Sequence, residues 1–297
     1  MTINIETIRS ETTQAATFSI IIPTWNNLPY LRFCIESIRK NSSLPHQIIV
    51  HVNEGNDGTL EWLKGQPDID YTHSASNVGI CYALNYCRHL MTTDYLLYLN
   101  DDMYVCPGWD QALHDEIQAI GHKYFFLSST QFEPVTQNPC CISANYGSTL
   151  ETFREKDFLT EFHSYPKNDW QGATWPPNIV HKDVWDFVGG YSIEFSPGMN
   201  SDPDFAMKLW QTGIRLFKGV GRSRVYHFGS KSTGRIVKND GYYVFIGKWG
   251  ISTRVLHQNY LRLGAVFQGV ASEPASSLIS KARNLYKRIN AAFHKNM

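Results

Sequence analysis

Residues 95–109, YLLYLNDDMYVCPGW, decide how this chain is read. The first five form a continuous apolar run of the kind covered on both faces, as strands of a parallel sheet are. The run stops at Asn100, Asp101 and Asp102, and the chain turns at Pro107 and Gly108. An unpaired buried carboxylate is costly and two adjacent ones repel, so this pair needs water, cationic partners or a metal. A solvated turn or a helix N-cap would also account for it, since aspartate is common in both. A hard cation such as Mg²⁺ binds one or two carboxylates and completes its shell with water and phosphate oxygens, so the pair also fits a metal-bound nucleoside diphosphate.

Upstream of this stretch, TFSIIIPTWNN reads as a buried strand that ends at Pro23 and passes into a loop. LPYLRFCIESIRKN sets Leu28, Leu31, Phe33, Ile35 and Ile38 near helical spacing, with Arg39 and Lys40 in the last turn. HQIIVHV is a second strand, and NEGNDGT is a loop in which Gly55 and Gly58 permit positive φ. LEWLKG opens a helix, IDYTHSASNVG is a short strand and loop, and ICYALNYCRHLM is a helix. This alternation predicts right-handed crossovers and a mostly parallel central sheet flanked by helices, with ligands at the carboxyl ends of the strands.

Downstream, WDQALHDEIQAIG is a helix and YFFLSSTQFEP a strand. Residues 138–177 are irregular, aromatic and too long for a passive connection, so they are expected to shape a pocket. A helix in SDPDFAMKLWQTG and a strand in RLFKGVGRSRVYHFG follow. Residues 1–16 are polar and aperiodic and read as a tail, 17–240 as the folded domain (a first half to about 130 and a second from 131), and 241–297 as a C-terminal helical extension.

The chain has 297 residues, 42% of them hydrophobic, enough to bury a sizeable core. Lys+Arg and Asp+Glu number 27 each, so no global field points to nucleic acid. The six cysteines show no CxxC spacing and no basic-then-apolar leader opens the sequence, which predicts a cytoplasmic setting. No window approaches the ~18 consecutive apolar residues of a membrane span. In SSLISKARNLYKRINAAFHKNM, however, Leu278, Ile279, Ala282, Leu285, Tyr286, Ile289, Ala292 and Phe293 form one helical stripe among Lys281, Arg283, Lys287, Arg288 and Lys295. Such a helix either lies on anionic lipid or docks on its own domain.

The pieces SIIIPTWNN, VNEGNDGT, SNVGICYALN, YLNDDMYVCPGWD, GGYSIEFSPGMNSDPDFAMKLWQTGIR and VYHFG occur in an order that resembles the family-2 glycosyltransferases with a GT-A fold, over residues 18–229. The resemblance implies that Pro23, Thr24, Asn53 and Glu54 line the nucleotide base and ribose. Asn53 stands where the family usually has aspartate. It further implies that Asn77 and Gly79 approach the donor, and that N-D-D replaces the family's DxD motif. Asn100 and Asp101 then lie on the donor side, with Asp101 on ribose or a metal-bound water, while Asp102 holds Mn²⁺ or Mg²⁺.

His227 is a further candidate ligand, or a structural histidine at a strand end. Lys231 and Arg235 fit either a lid over the diphosphate or plain surface charge. Asp202 corresponds to the general base, with Asp204 in reserve, although Asp202 before Pro203 also suits an N-cap. Trp170 and Trp175 suit stacking on an acceptor sugar or burial under a long loop.

The function implied is a metal-dependent, inverting transfer from a nucleoside diphosphate sugar, UDP-sugar favoured, to a glycan or lipid-linked acceptor in cell-surface polysaccharide or glycolipid synthesis. The setting implied is cytoplasmic, with peripheral contact at the inner membrane face. A nucleotidyltransferase would place a strand-end aspartate and Mg²⁺ on a similar sheet, but it ordinarily has a Gly-rich, basic loop after the first strand, and PTWNNLPYL has neither. A non-catalytic glycan-binding protein is the third alternative.

Overall fold

The computed structural model describes residues 4–10, 15–229, 239–275 and 278–294. Lys231, Arg235 and Lys295 lie outside them. The chain runs through β1 (Ile5–Ile8), β2 (Phe18–Trp25), α1 (Leu28–Asn41), β3 (His46–Asn53), α2 (Thr59–Lys64), β4 (Ile69–Ser74), α3 (Gly79–Cys87) and β5 (Tyr95–Tyr98). Next come β6 (Met103–Val105), α4 (Trp109–Ile120), β7 (Phe125–Glu133), β8 (Ile142–Ser143), α5 (Glu155–Glu161), β9 (Trp170–Gln171), β10 (Asn178–His181) and α6 (Lys182–Val188). The last elements are α7 (Ser201–Gln211), β11 (Leu216–His227), α8 (Gly241–Trp249), α9 (Thr253–Val255) and α10 (Leu278–His294).

The strands form one sheet in the order β1-β4-β3-β2-β5-β10-β7-β11-β6, with β8 on β7 and β9 on β11. Strands β4, β3, β2 and β5 are parallel, as the alternation of elements predicts. β10 enters antiparallel between β5 and β7, and β11 returns parallel to β7. Because strand side chains alternate, Ile20 and Ile22 reach one face and Ile21 the other. Helices α1 and α4 cover the first face with Leu31, Ile35, Trp109 and Leu113. Helices α3, α6 and α7 cover the second with Leu84, Trp185, Phe205 and Leu209.

Three features depart from the expected layout. Ile5–Ile8, inside the stretch read as a tail, pair antiparallel with β4 and close that edge of the sheet. Four residues are too few to show a period in the sequence. Residues 138–177 divide their work: Phe153, Phe158 and Phe162 join Tyr104, Phe132, Tyr226 and Phe228 in a separate aromatic core, and only the ends of the segment reach the cleft. Phe245, Ile251, Leu256 and Leu261, in the stretch read as an extension, share the core cluster of Phe205 and Leu209.

The fourth feature positions the site. After Asp102 the chain does not stay beside β5. β6 crosses to the far edge of the sheet and pairs antiparallel with β11, Met103 opposite His227. No helix among the described residues is long and apolar enough to cross a membrane.

Candidate active site

Strand register alone brings three ionisable side chains together. Met103 lies opposite His227, and the Phe228 N–H donates to the Asp102 carbonyl at 3.1 Å, so Asp102 meets the end of β11. On the other side of β11, Tyr226 is paired with Phe132, which brings Glu133 beside the same histidine. The outcome is a carboxylate–imidazole–carboxylate row: His227 Nε2 is 3.5 Å from Asp102 Oδ1, and Nδ1 is 3.0 Å from Glu133 Oε1. Burial alone would lower the His227 pKa, but the hydrogen bonds and charges of Asp102 and Glu133 raise it to about 9. In return the His227 contact holds Glu133 below the usual carboxylate range. Asp101 points elsewhere, accepting a hydrogen bond from the buried Thr24 hydroxyl at 2.7 Å.

These groups face a cleft of about 510 Å³ at the carboxyl ends of the central strands. Pro23, Asn100, Asp101 and Asp102 form one part of it, Glu133 and His227 another, and residues 197–200 with Asp202 and Pro203 a third. Trp175 and His257 complete the wall, ring centroids 5.4 Å apart. Tyr98 lines the same cleft, and its phenol is pushed well above its ordinary pKa by burial and then by Asp202, Asp101 and Asp102.

Asp202 is not the helix cap its sequence context allows. The helix begins at Ser201, after Asn200 in the left-handed conformation (φ 66°), so Asp202 falls within the first turn. Its carboxylate accepts a hydrogen bond from Tyr191 Oη at 2.8 Å. Tyr191 is itself fixed twice by Asn85, which donates to its carbonyl at 2.7 Å and accepts from its N–H at 2.8 Å, and its ring stacks on Phe205. Burial raises the Asp202 pKa and the Tyr191 hydroxyl partly offsets this, leaving it at about 7.

Several expected residues take other roles. Asp204, the reserve base, is two positions further round the helix and fully buried, where it accepts from Trp249 Nε1 at 2.8 Å and pairs with Lys248 at 2.9 Å. It does not face the cleft. Trp170 is also a core residue: its indole donates to Thr130 Oγ1 at 2.9 Å and lies against Gly219, where any side chain would collide with it. Of the two tryptophans only Trp175 reaches the cleft.

Asn53, Glu54, Asn77 and Gly79 do not line the cleft but organise the loops beside it. Asn53 Oδ1 accepts from the Val78 N–H at 2.8 Å, Glu54 accepts from Asn26 at 2.8 Å, and Asn77 accepts from the Gly79 N–H at 2.9 Å. Gly79 has φ +78°, and a β-carbon there would come within 2.5 Å of Pro197 Cα. Sequence reasoning missed Glu133, Tyr191 and His257. Glu133 is the last residue of β7, within YFFLSSTQFEP, a strand-end carboxylate like Asp101 and open to the same argument.

Among the described residues no group of three histidine, cysteine, aspartate or glutamate side chains is arranged to hold an ion by itself. Asp102 and His227 face the cleft and together could hold a hard cation whose shell phosphate oxygens and water complete, once the imidazole gives up its Nε2 proton to the ion.

Residues 19–139 match the family model described as glycosyl transferase family 2. No curated protein sequence matches the chain. Among solved structures, Staphylococcus aureus TarS 1–349 in complex with UDP is similar, with a TM-score of 0.57 at 13% identity over 94% of this chain and 72% of that one. The same protein in complex with UDP-GlcNAc gives a TM-score of 0.54 at 14% identity, over 94% and 73%. GalNAc-T7 with UDP, GalNAc and Mn²⁺ gives 0.53 at 14%, over 80% and 46%. The chain thus has a GT-A fold, and over residues 19–139 it resembles the family-2 glycosyltransferases.

Proposed function

We propose that the chain is an inverting glycosyltransferase dependent on Mn²⁺ or Mg²⁺. In this reading it moves a sugar from a nucleoside diphosphate donor, UDP-sugar favoured, to a glycan or lipid-linked acceptor. It works in cell-surface polysaccharide or glycolipid synthesis, in the cytoplasm at the inner face of a membrane. The observation that carries the reading is the gathering of Asp101, Asp102, His227 and a carboxylate with a pKa near neutrality, Asp202, in one cleft. The UDP and UDP-GlcNAc complexes of TarS and the Mn²⁺ in GalNAc-T7 support the choice of donor and ion.

Asp102 and His227 are the residues that would hold the cation, which when bound supplies Lewis-acid neutralisation of charge on the departing diphosphate. Glu133 orients the His227 ring by accepting from Nδ1, which turns Nε2 toward Asp102. Trp175 and His257 present an aromatic wall for the acceptor. Asp202 takes the proton from the acceptor hydroxyl as its oxygen bonds to the sugar C1 and the C1–O bond to the diphosphate breaks. One base on the acceptor side gives inversion.

The test is a screen of UDP-, GDP- and dTDP-sugars for binding and slow hydrolysis with and without Mn²⁺. Release of a nucleoside diphosphate that needs the ion is expected. Turnover of a nucleoside triphosphate instead, or of nothing at all, would replace this reading with a nucleotidyltransferase or a glycan-binding protein.

A base with a pKa near 7 works above that pH and fails below it, so kcat/KM is expected to rise through about pH 7. Tyr191→Phe removes a hydrogen bond that favours the charged carboxylate, so the acid limb should move to higher pH, with full activity recovered on the alkaline side. A pH profile of the variant that overlays the parent's would remove Tyr191 from this role.

A further inference from the structure

Helix α10 lies against α8, and it does so with its polar side. Lys287 Nζ donates to Ser252 Oγ at 3.0 Å, the Arg288 side chain runs past Gly250 out to its guanidinium while staying exposed, and Ala291, 3% exposed, is buried. At about 100° of rotation per residue, the large apolar residues gather on the opposite side of the helix in an arc roughly 120° wide. Leu278, Ile279, Leu285, Tyr286, Ile289 and Phe293 are 47% to 84% exposed. A helix that only packs on its own domain turns this stripe inward; here it faces out, and an exposed apolar stripe rimmed by polar residues marks an interaction surface.

The charges indicate what covers it. Arg283 and Arg288 fall on the two flanks of the apolar arc, and no acidic residue follows Glu273, although the whole chain is neutral. Two copies of α10 packed face to face would bring these basic flanks together with no acid on α10 to pair them, whereas an anionic bilayer supplies both an apolar layer and counter-charge. We propose that α10 lies in the interface of a membrane containing anionic lipid, its outward stripe at the acyl boundary and its two flanking arginines among the headgroups. The inference deepens the peripheral-membrane part of the reading above and is independent of the transfer chemistry. It also suits a lipid-linked acceptor, because α8 starts at Gly241 against the Met199 carbonyl, and Met199 lines the cleft.

The test is co-sedimentation of the full chain with vesicles of phosphatidylcholine alone and of phosphatidylcholine mixed with phosphatidylglycerol. Binding at least about tenfold tighter to the anionic vesicles, weakened by salt, is expected. The double variant Leu285→Glu, Ile289→Glu changes two exposed positions and should lose at least about tenfold of that binding while sugar-nucleotide hydrolysis in solution is unchanged. Equal binding to both vesicle types, or full binding by the variant, would overturn the proposal. Self-association broken by the same substitutions, without vesicle binding, would assign the stripe to a second copy of the chain. A protein that binds anionic vesicles but turns over no sugar nucleotide would sink the transferase reading and leave this one standing.

Discussion

Asp202→Asn is expected to cut turnover by roughly 10²- to 10⁴-fold, the scale of a lost general base, with donor affinity nearly unchanged. Asparagine keeps the size of the side chain and an oxygen that accepts from Tyr191, so the first turn of α7 and the packing around Phe205 should persist. What it lacks is a site for the acceptor's proton. The measurement is kcat at saturating donor and acceptor, beside a donor Kd from calorimetry. The residual activity should also lose the rise through about pH 7 seen in the parent. Near-normal transfer would move the base to another residue of the cleft.

Asp102→Ala is expected to abolish the Mn²⁺-dependent part of donor affinity, a loss of about 100-fold or more, while the fold survives. Survival is expected because the turn is tied by its backbone: it is the Asp102 carbonyl, not the carboxylate, that accepts from Phe228. The substitution also leaves His227 with Glu133 as its one carboxylate neighbour from the row, so the imidazole should titrate lower than in the parent. Donor titrations with and without Mn²⁺, and a thermal melt, check both halves. Donor affinity that still responds fully to the ion would remove Asp102 as its ligand.

The first half of the fold was legible because its information is local. Strand β5 is a continuous apolar run, β2 and β3 are built around the short apolar runs III and IIV, helix α1 has a clear period and basic last turn, and the carboxylates stand where the β5 run ends. Asp102, His227 and Asp202 were accessible as the ends of such elements. The errors came where one residue type serves two physical ends. Trp170 and Trp175 are alike in sequence, and only the slot at Gly219 puts the first in the core. Asp202 and Asp204 sit two apart on one helix, and the rotation between them separates the cleft from Lys248. Gly79 and Asn77 mark a tight turn whose close neighbour is Pro197, about 120 residues on, a contact no local pattern records. Asn85 in the middle of a helix looks like a solvent-facing residue until Tyr191 is in place.

The passage of β6 across to β11 has a consequence for how the protein matures. The aspartates occur a third of the way along the chain, but the strand that holds their turn in position ends at His227. During synthesis the motif therefore leaves the ribosome long before its partner exists. A product cut short before residue 216 would still carry Asp101 and Asp102, yet have no β11 edge to hold their turn. Completion of the cleft therefore waits for β11, late in synthesis.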